Sequence, residues 1–125
     1  MSKVLLDTDV VINLLKKEKE FVSEFLSLHS RGATFYYNPI VIAEVYTGAF
    51  DKEFDIIESF FNRLTCIDIC KYTGIQAGKY AKEFKKAYNK ISLEDYIIAS
   101  TCKVNTLTIW TNNKKHYPMK DINKI

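Results

Sequence analysis

The sequence has few of the residues that build cross-linked or zinc-bound proteins. It contains three cysteines and two histidines among 125 residues. Three cysteines do not form a framework of paired disulfides, and Cys66 and Cys70 have no matching second pair that would complete a zinc site. We therefore expect Cys66, Cys70 and Cys102 to be reduced thiols in the protein core.

The sequence also lacks a long hydrophobic run. Lys3 is followed by only three apolar residues before Asp7, so the N-terminus has no signal-peptide pattern, and no segment is long enough to span a bilayer. These absences predict a cytoplasmic protein without a membrane partner. The net charge of +3 is modest, which permits a polyanionic partner without requiring one.

The length and composition predict one domain, residues 1–125, with 47% hydrophobic residues to build its core. Strand and helix patterns alternate along the chain. Strands are predicted at 4–6, 35–37, 66–69 and 106–110, with a short edge strand at 122–125, and helices at 10–17, 21–29, 39–46, 51–64, 75–91 and 93–104. The fold class is therefore α/β, with a mainly parallel central sheet of four to five strands flanked by helices.

Asp7 stands where the first apolar strand ends and a helix begins. In open parallel sheets ligands bind at the carboxyl ends of the strands, beside the point where the strand order reverses. Asp7 is therefore the first functional candidate. The structural alternative is that Asp7 or Asp9 simply caps the following helix by accepting hydrogen bonds from its free N–H groups.

Glu44 lies in the middle of a helical segment, 40–46, that is otherwise apolar nearly all round and is therefore predicted to be buried. An ionised carboxylate there is costly unless it is paired, protonated or bound to a metal. The two arginines, Arg31 and Arg63, each flank a predicted helix end, so a structural partner would be a lysine or a backbone donor. We favour a functional role for Glu44.

Asp95 opens another helix that is predicted to be buried. Ser92 and Asp95 have the spacing of a capping box, in which each side chain bonds the other residue's backbone N–H, and this is the structural alternative for Asp95. The acid nevertheless stands at the rim of a buried element, as Asp7 does. We also expect His29, within an apolar stripe, to be a packing residue of the core and not a metal ligand.

A row of lysines marks the predicted helix 75–91. Lys79, Lys82, Lys86 and Lys90 recur at helical spacing, with Lys85 beside them. Such a face could follow a phosphate backbone, or it could be an ordinary solvated surface.

Asp7, Glu44 and Asp95 are far apart in the sequence, but the carboxyl edge of a parallel sheet could gather them. Gathered acids repel one another unless a cation offsets their charge, and ligand sets made only of oxygen suit Mg²⁺ or Mn²⁺. A metal ion of this kind polarises phosphoryl oxygens and activates water. The residues therefore predict hydrolysis of phosphodiester bonds.

At these residues the sequence resembles the PIN-domain family and, within it, the VapC-type toxins of bacterial and archaeal toxin–antitoxin pairs. The resemblance covers nearly the whole chain. It is carried, in order, by Leu6-Asp7-Thr8-Asp9-Val10-Val11-Ile12, Pro39-Ile40-Val41-Ile42-Ala43-Glu44-Val45, Asp95-Tyr96-Ile97-Ile98-Ala99-Ser100 and Ile109-Trp110-Thr111-Asn112-Asn113-Lys114-Lys115-His116-Tyr117. Each piece is short, and it is their order and spacing together that make the resemblance specific.

The resemblance implies a PIN-like, metal-dependent endoribonuclease in which Asp7, Glu44 and Asp95 are the catalytic, metal-binding acids. It also implies Mg²⁺ or Mn²⁺ as the cofactor, RNA as the substrate, a cognate antitoxin as a partner, and a homodimer. We further expect contacts to the substrate from residues near the first acid and in the last piece, namely Thr8, Thr111, Asn113, Lys114, Lys115 and His116.

The sequence departs from the family's pattern at two places. Asp9 stands where asparagine is common, and the last piece offers Asn113 and His116 where a further acid is common, which leaves a second metal ion open. Asp9 joins the metal site if the chain stays extended through Thr8, because side chains two residues apart then point the same way. If the helix begins at once, we expect Asp9 to cap it instead.

Two other functions remain open at the level of the sequence. Asp7-Thr8-Asp9 also fits the opening of haloacid-dehalogenase-like phosphatases, but those enzymes need a later acidic pair where this chain has Asn112-Asn113. A protein without turnover, either a receiver-like switch or a PIN fold that only binds RNA, would use the same acids.

Overall fold

Four parallel strands form one sheet in the computed structural model, which describes residues 2–125. The strands are β1 (Lys3–Leu6), β2 (Thr34–Tyr37), β3 (Thr65–Cys66) and β4 (Thr108–Trp110), in the order β3-β2-β1-β4. Lys124 adds an isolated parallel bridge to Ile109 on the outer side of β4. The prediction of an α/β fold with a parallel sheet of four to five strands is confirmed.

In the described part of the chain, six α-helices connect and cover these strands. They are α1 (Thr8–Leu15), α2 (Lys19–Ser30), α3 (Pro39–Thr47), α4 (Phe54–Asn62), α5 (Lys71–Phe84) and α6 (Leu93–Asn105). Short 3-10 turns lie at Asp51–Glu53 and Lys114–His116. Helix α5 packs along α6, and α1 packs against α2 and α3. Within residues 2–125, no helix is both long enough and apolar enough to cross a membrane.

Strand β1 lies at the centre of the core because β2 and β4 flank it and helices cover both faces of the sheet. Val4, Leu5 and Leu6 are completely buried, as the unbroken apolar run predicts. The chain proceeds from β1 to β2 on one side and later returns to β4 on the other. The strand order therefore reverses between β1 and β4, which is where an open parallel sheet offers a ligand site.

The buried face of α2 differs from the prediction. His29 is exposed and Leu26 is 58% exposed, so the prediction that His29 packs in the core is wrong. Phe21 and Phe25 of the same apolar stripe pack against the core together with the buried Leu28, and Phe25 stacks on Phe35 of β2 with their ring centroids 4.2 Å apart. Aromatic packing against β2 therefore orients α2 so that His29 faces solvent.

Helix α5 begins and ends earlier than predicted. It runs over Lys71–Phe84, so Lys86 and Lys90 lie beyond its end and the predicted helical face of five lysines is wrong. Strand β3 is shorter than the predicted 66–69. Strand β4 starts at Thr108 because Thr106 takes the left-handed conformation, with φ 55°, that closes α6.

Two predictions of burial also need correction. Helix α3 is only half-buried: Val41 and Val45 face the core, while Ala43 is exposed. A helix that packs on α1 and α6 keeps one side open, although its sequence is apolar all round. All three cysteines are free as expected, but only Cys102 is in the core, whereas Cys66 is exposed on the short edge strand β3 and Cys70 is exposed just before α5.

Candidate active site

Asp7 is at the carboxyl end of β1, next to the end of β4. Its backbone N–H donates to the carbonyl of Trp110 at 3.0 Å, which continues the pairing of the two strands. The side chain caps α1, since Oδ1 accepts from the N–H of Thr8 at 2.8 Å. Oδ2 accepts from the hydroxyls of Thr111 at 2.8 Å and Tyr117 at 3.0 Å. Asp7 thus has the capping role and also a place at the sheet's ligand-binding edge.

Glu44 reaches the same edge from α3. That helix starts at a fixed point because the buried Asn38 caps it, accepting from the N–H of Val41 at 3.1 Å and donating to Thr101 of α6 at 3.1 Å. Glu44 lies on the half-exposed side, and its Oε1 accepts from the Thr8 hydroxyl at 2.6 Å. The first turn of α1 therefore holds the second acid beside the first.

Asp95 enters from the first turn of α6. The predicted capping box is present: the Ser92 hydroxyl accepts from the N–H of Asp95 at 3.1 Å, and Asp95 Oδ2 accepts from the N–H of Ser92 at 3.2 Å. Oδ2 also lies 3.0 Å from Nδ1 of His116. An ionised carboxylate can only accept, so the ring nitrogen is the donor. The capping interpretation and the functional one are again both compatible with the structure.

Tyr117 connects two of the acids, a role that was not predicted from the sequence. Its hydroxyl is 3.0 Å from Asp7 Oδ2 and 3.4 Å from Asp95 Oδ1, and the residue is 1% exposed. Burial, together with the charges of Asp7 and Asp95, raises the pKa of the Tyr117 phenol far above its usual value. The phenol therefore remains a hydrogen-bond donor. The only signal in the sequence was one aromatic residue within a basic tail.

Asp9 is in the first turn of α1 and does not cap it, because the helix begins at Thr8 and Asp7 takes the cap. The expectation that Asp9 would cap a helix starting at once is therefore corrected, and Thr8 does not have the extended conformation on which the metal-binding role of Asp9 was predicted to depend. Its Oδ1 accepts from the N–H of Asn112 at 3.4 Å, which joins α1 to the segment after β4.

Comparison with known proteins identifies this arrangement of strands and acids. The family model described as the PIN domain matches residues 4–122. The chain belongs to the PIN domain family. This membership separates the Asp7-Thr8-Asp9 segment from the similar motif of haloacid-dehalogenase-like phosphatases.

Relatives of this PIN domain extend over nearly its whole length. It is 28% identical over 123 residues to "Ribonuclease VapC2" of Haemophilus influenzae, covering 94% of this chain and 91% of the relative. It is 24% identical over 122 residues to "tRNA(fMet)-specific endonuclease VapC" of Salmonella typhimurium, with the same coverage of 94% and 91%. The structure of VapBC2 from Rickettsia felis, bound to a DNA fragment from its promoter, superposes with a TM-score of 0.84 at 22% identity, covering 98% of this chain and 97% of that chain.

The electrostatics of the PIN domain's acid cluster are unfavourable to the ionised forms. Burial raises the pKa of Asp7, and the charge of Asp95 adds to this effect, although hydrogen bonds from Thr111, Thr8 and Tyr117 oppose it. Burial also raises the pKa of Glu44, helped by the charges of Asp7 and Asp95. Burial and then the charge of Asp7 raise the pKa of Asp9.

The donor chemistry of the cluster suits a hard divalent cation. Its ligand atoms are carboxylate oxygens, and among residues 2–125 no lysine or arginine forms an ion pair with Asp7, Asp9 or Glu44. The set is not closed, however: in the described part of the chain no three acidic, histidine or cysteine side chains lie close enough together to hold a metal ion. Oε1 of Glu44 is engaged by Thr8, and Oδ2 of Asp95 by His116 and Ser92.

The expected substrate-binding residues divide into two groups. Asn113, Lys114 and Lys115 are exposed in and before the 3-10 turn after β4, on the acid side of the sheet. Thr111 is buried behind Asp7, and its hydroxyl donates to Asp7 and accepts from the N–H of Asn113 at 3.0 Å. We therefore assign Thr111 to positioning Asp7 in place of a substrate contact. The hydroxyl of Thr8 and the ring of His116 likewise contact acids.

Proposed function

We propose that this PIN domain is a metal-dependent endoribonuclease and the toxin of a toxin–antitoxin pair. The observation that carries the proposal is the arrangement of Asp7, Glu44 and Asp95, which come from β1, α3 and α6 to one edge of the sheet. The charge of Asp95 contributes to the raised pKa of Asp7, and the charges of Asp7 and Asp95 contribute to the raised pKa of Glu44. The names of the two relatives, a ribonuclease and a tRNA(fMet)-specific endonuclease, support the same activity.

Asp7, Glu44 and Asp95 would hold Mg²⁺ or Mn²⁺, with Asp9 as a further acid near Asp7. Burial and mutual repulsion disfavour the charged form of such acids. A bound cation offsets the repulsion and so stabilises their ionised form. Bound there, the cation would supply polarisation of a phosphoryl oxygen of the RNA and activation of a water molecule for attack on phosphorus. Asn113 and His116 add no carboxylate for a second ion.

The chain's own residues prepare the site before substrate arrives. Thr8 orients Glu44, His116 and Ser92 orient Asp95, and Thr111 orients Asp7, so each acid has at least one fixed donor. Fixed donors around ligating groups are what keep such groups in place. The exposed Lys114 and Lys115 would contact RNA phosphates, because basic side chains neutralise the backbone without reading its sequence.

The proposed toxin would bind a protein partner, and one apolar surface of the domain is suited to that contact. An apolar groove of about 540 Å³ lies between α1, α3 and α4, lined by Ile12, Val45, Phe50 and Ile56 among others. Phe50 is 71% exposed. Large exposed apolar groups of this kind mark sites of protein association. We propose that a cognate antitoxin binds here, that the chain acts in the cytoplasm, and that it forms a homodimer.

The decisive experiment is cleavage of total RNA with and without Mg²⁺ or Mn²⁺. We expect Asp7→Asn, Glu44→Gln and Asp95→Asn each to reduce the rate by about 100-fold or more, since even outer partners of a metal site are worth 10- to 100-fold. Asp51→Asn, in the exposed turn Asp51–Glu53, is the matched control and should cleave at the wild-type rate. Cleavage that persists in excess chelator would contradict the proposal, and RNA binding without any cleavage would make the chain a binding module.

A further inference from the structure

Tyr117 places a single hydroxyl between two carboxylates that come from different elements. Its oxygen is 3.0 Å from Asp7 at the end of β1 and 3.4 Å from Asp95 in the first turn of α6. The hydroxyl has one proton, which the shorter bond assigns mainly to Asp7. We propose that Tyr117 is a positioning residue that holds Asp7 and Asp95 in the arrangement needed to bind a divalent cation.

The hydroxyl is held rigidly because the sheet anchors the backbone of Tyr117. The ammonium group of Lys124 donates to the carbonyls of Tyr117 at 2.9 Å and Met119 at 2.7 Å. Lys124 itself lies on the chain segment that pairs with β4: the N–H of Ile109 donates to the carbonyl of Asn123 at 2.9 Å. The position of the phenol therefore depends on strand pairing and not on a mobile loop.

The pattern of hydrogen bonds on Asp7 explains what the hydroxyl contributes. A carboxylate offers about four acceptor sites. The N–H of Thr8 uses one on Oδ1, while Thr111 and Tyr117 use both on Oδ2. These three donors fix the plane of the carboxylate and leave the remaining acceptor site on Oδ1. Removing the Tyr117 hydroxyl leaves Thr111 as the one donor to Oδ2 within residues 2–125 and also removes the link to Asp95.

The inference rests on the proposed function, and its test measures metal binding rather than activity. We would titrate wild type, Tyr117→Phe and Tyr80→Phe with Mn²⁺, following free Mn²⁺ by electron paramagnetic resonance. Tyr80 is the matched control because it is 3% exposed and its hydroxyl donates to a carboxylate, Asp121, at 2.8 Å outside the acid cluster. We expect Tyr117→Phe to weaken Mn²⁺ binding by about 10- to 100-fold and Tyr80→Phe to leave it unchanged.

A second measurement separates positioning from general loss of stability. Both phenylalanine variants lose a hydrogen bond from a buried tyrosine to a carboxylate, so both should unfold at lower urea concentration in metal-free buffer. If the two variants weaken Mn²⁺ binding equally, or if Tyr117→Phe binds as tightly as wild type, the inference is overturned. If wild type itself binds no Mn²⁺, the proposed function fails instead.

A further variant keeps the test available if Tyr117→Phe does not fold. Lys124→Met retains the hydroxyl but removes the ammonium group that anchors the carbonyls of Tyr117 and Met119. We expect it to weaken Mn²⁺ binding by a smaller factor than the loss of the hydroxyl. Unchanged binding in Lys124→Met would count against a fixed position of the phenol as the source of the effect.

Discussion

The fold places individual acids of the cluster where their ionised form is disfavoured. The pKa values of Asp7, Asp9 and Glu44 are all raised in the folded chain, and burial is the largest cause for each. A carboxyl with a raised pKa binds its proton more tightly in the folded state than in the unfolded one. The free energy of unfolding therefore falls as pH rises from the ordinary pKa through the raised one. The cluster lowers stability at neutral pH.

Glu44 gives the cleanest test of this cost, because it is half-exposed and accepts a single hydrogen bond, from Thr8. We expect Glu44→Gln in metal-free buffer to be at least as stable as wild type at pH 7, because glutamine removes the charge but still accepts from Thr8. Near the ordinary glutamate pKa of 4.5 and below, the advantage should disappear, because wild-type Glu44 is then protonated too.

The measurement is the urea midpoint of both proteins from pH 4 to pH 7.5, with the emission of Trp110, the chain's one tryptophan, as the signal. Glu53→Gln, in the exposed turn Asp51–Glu53, serves as a control for loss of a surface charge. A lower midpoint for Glu44→Gln at pH 7 would show that the Glu44 charge stabilises the fold.

At the scale of elements, all the acids of the cluster except Glu44 lie at the start of a helix. The acids Asp7, Asp9 and Asp95 all lie at the N-terminal ends of α1 and α6, where the helix dipole favours negative charge. Asp7 and Asp95 also accept hydrogen bonds from backbone N–H groups at these helix ends, whereas Asp9 accepts from the N–H of Asn112. Helix capping and a place in the acid cluster are therefore compatible in Asp7 and Asp95.

Two pairs of exposed lysines, on different elements, can be compared for their effect on RNA binding. Lys114 and Lys115 belong to the 3-10 turn beside the acids, while Lys79 and Lys82 are exposed on α5. We expect Lys114→Gln with Lys115→Gln to weaken RNA binding and to reduce the slope of log affinity against log salt by about 1.4, at roughly 0.7 for each phosphate contact of a single strand. The matched double variant, Lys79→Gln with Lys82→Gln, removes the same charge and should change the slope less.

Affinity for a single-stranded RNA, measured by fluorescence anisotropy at several salt concentrations with the inactive Asp7→Asn variant, checks this prediction. Equal slopes for both double variants would mean that the RNA contacts both elements alike. An unchanged slope in the Lys114 and Lys115 variant would show that these lysines are ordinary solvated charges.

At the scale of the whole molecule, we expect two exposed apolar surfaces to bind different partners. One is the groove containing Phe50 and Ile56, and the other is the outer face of α5, where Tyr72 and Ile75 are one helical turn apart. We expect a homodimer of twice the 14.5 kDa chain mass, formed through the face of α5. Tyr72→Ser with Ile75→Ser should then give a monomer, because the substitutions remove buried apolar area from the interface.

Multi-angle light scattering after size-exclusion chromatography measures the masses directly. Phe50→Ser is the comparison and should remain a dimer, since the groove is proposed to bind the antitoxin. A Phe50→Ser monomer beside a dimeric Tyr72 and Ile75 variant would place the dimer interface in the groove instead.

The sequence by itself determined the order of elements and the identity of the acids. Caps such as Asn38-Pro39 and Ser92-x-x-Asp95 act over a few residues, and the buried run Val4–Leu6 needs no distant partner to be recognised as a strand. The parallel sheet followed from the alternation of strands and helices. These features depend on local hydrogen bonds and on periodicity, both of which can be read along the chain.

Only the tertiary structure decided which helix faces are buried, where α5 ends, and how the acids are held. Packing of Phe25 on Phe35 selected the buried face of α2 and left His29 in solvent. The hydroxyls of Thr111 and Tyr117 reach Asp7 from 104 and 110 residues away, and they do so because β4 pairs beside β1. Contacts between residues so far apart leave no periodic trace in the sequence, since they depend on strand pairing that exists only in the folded chain.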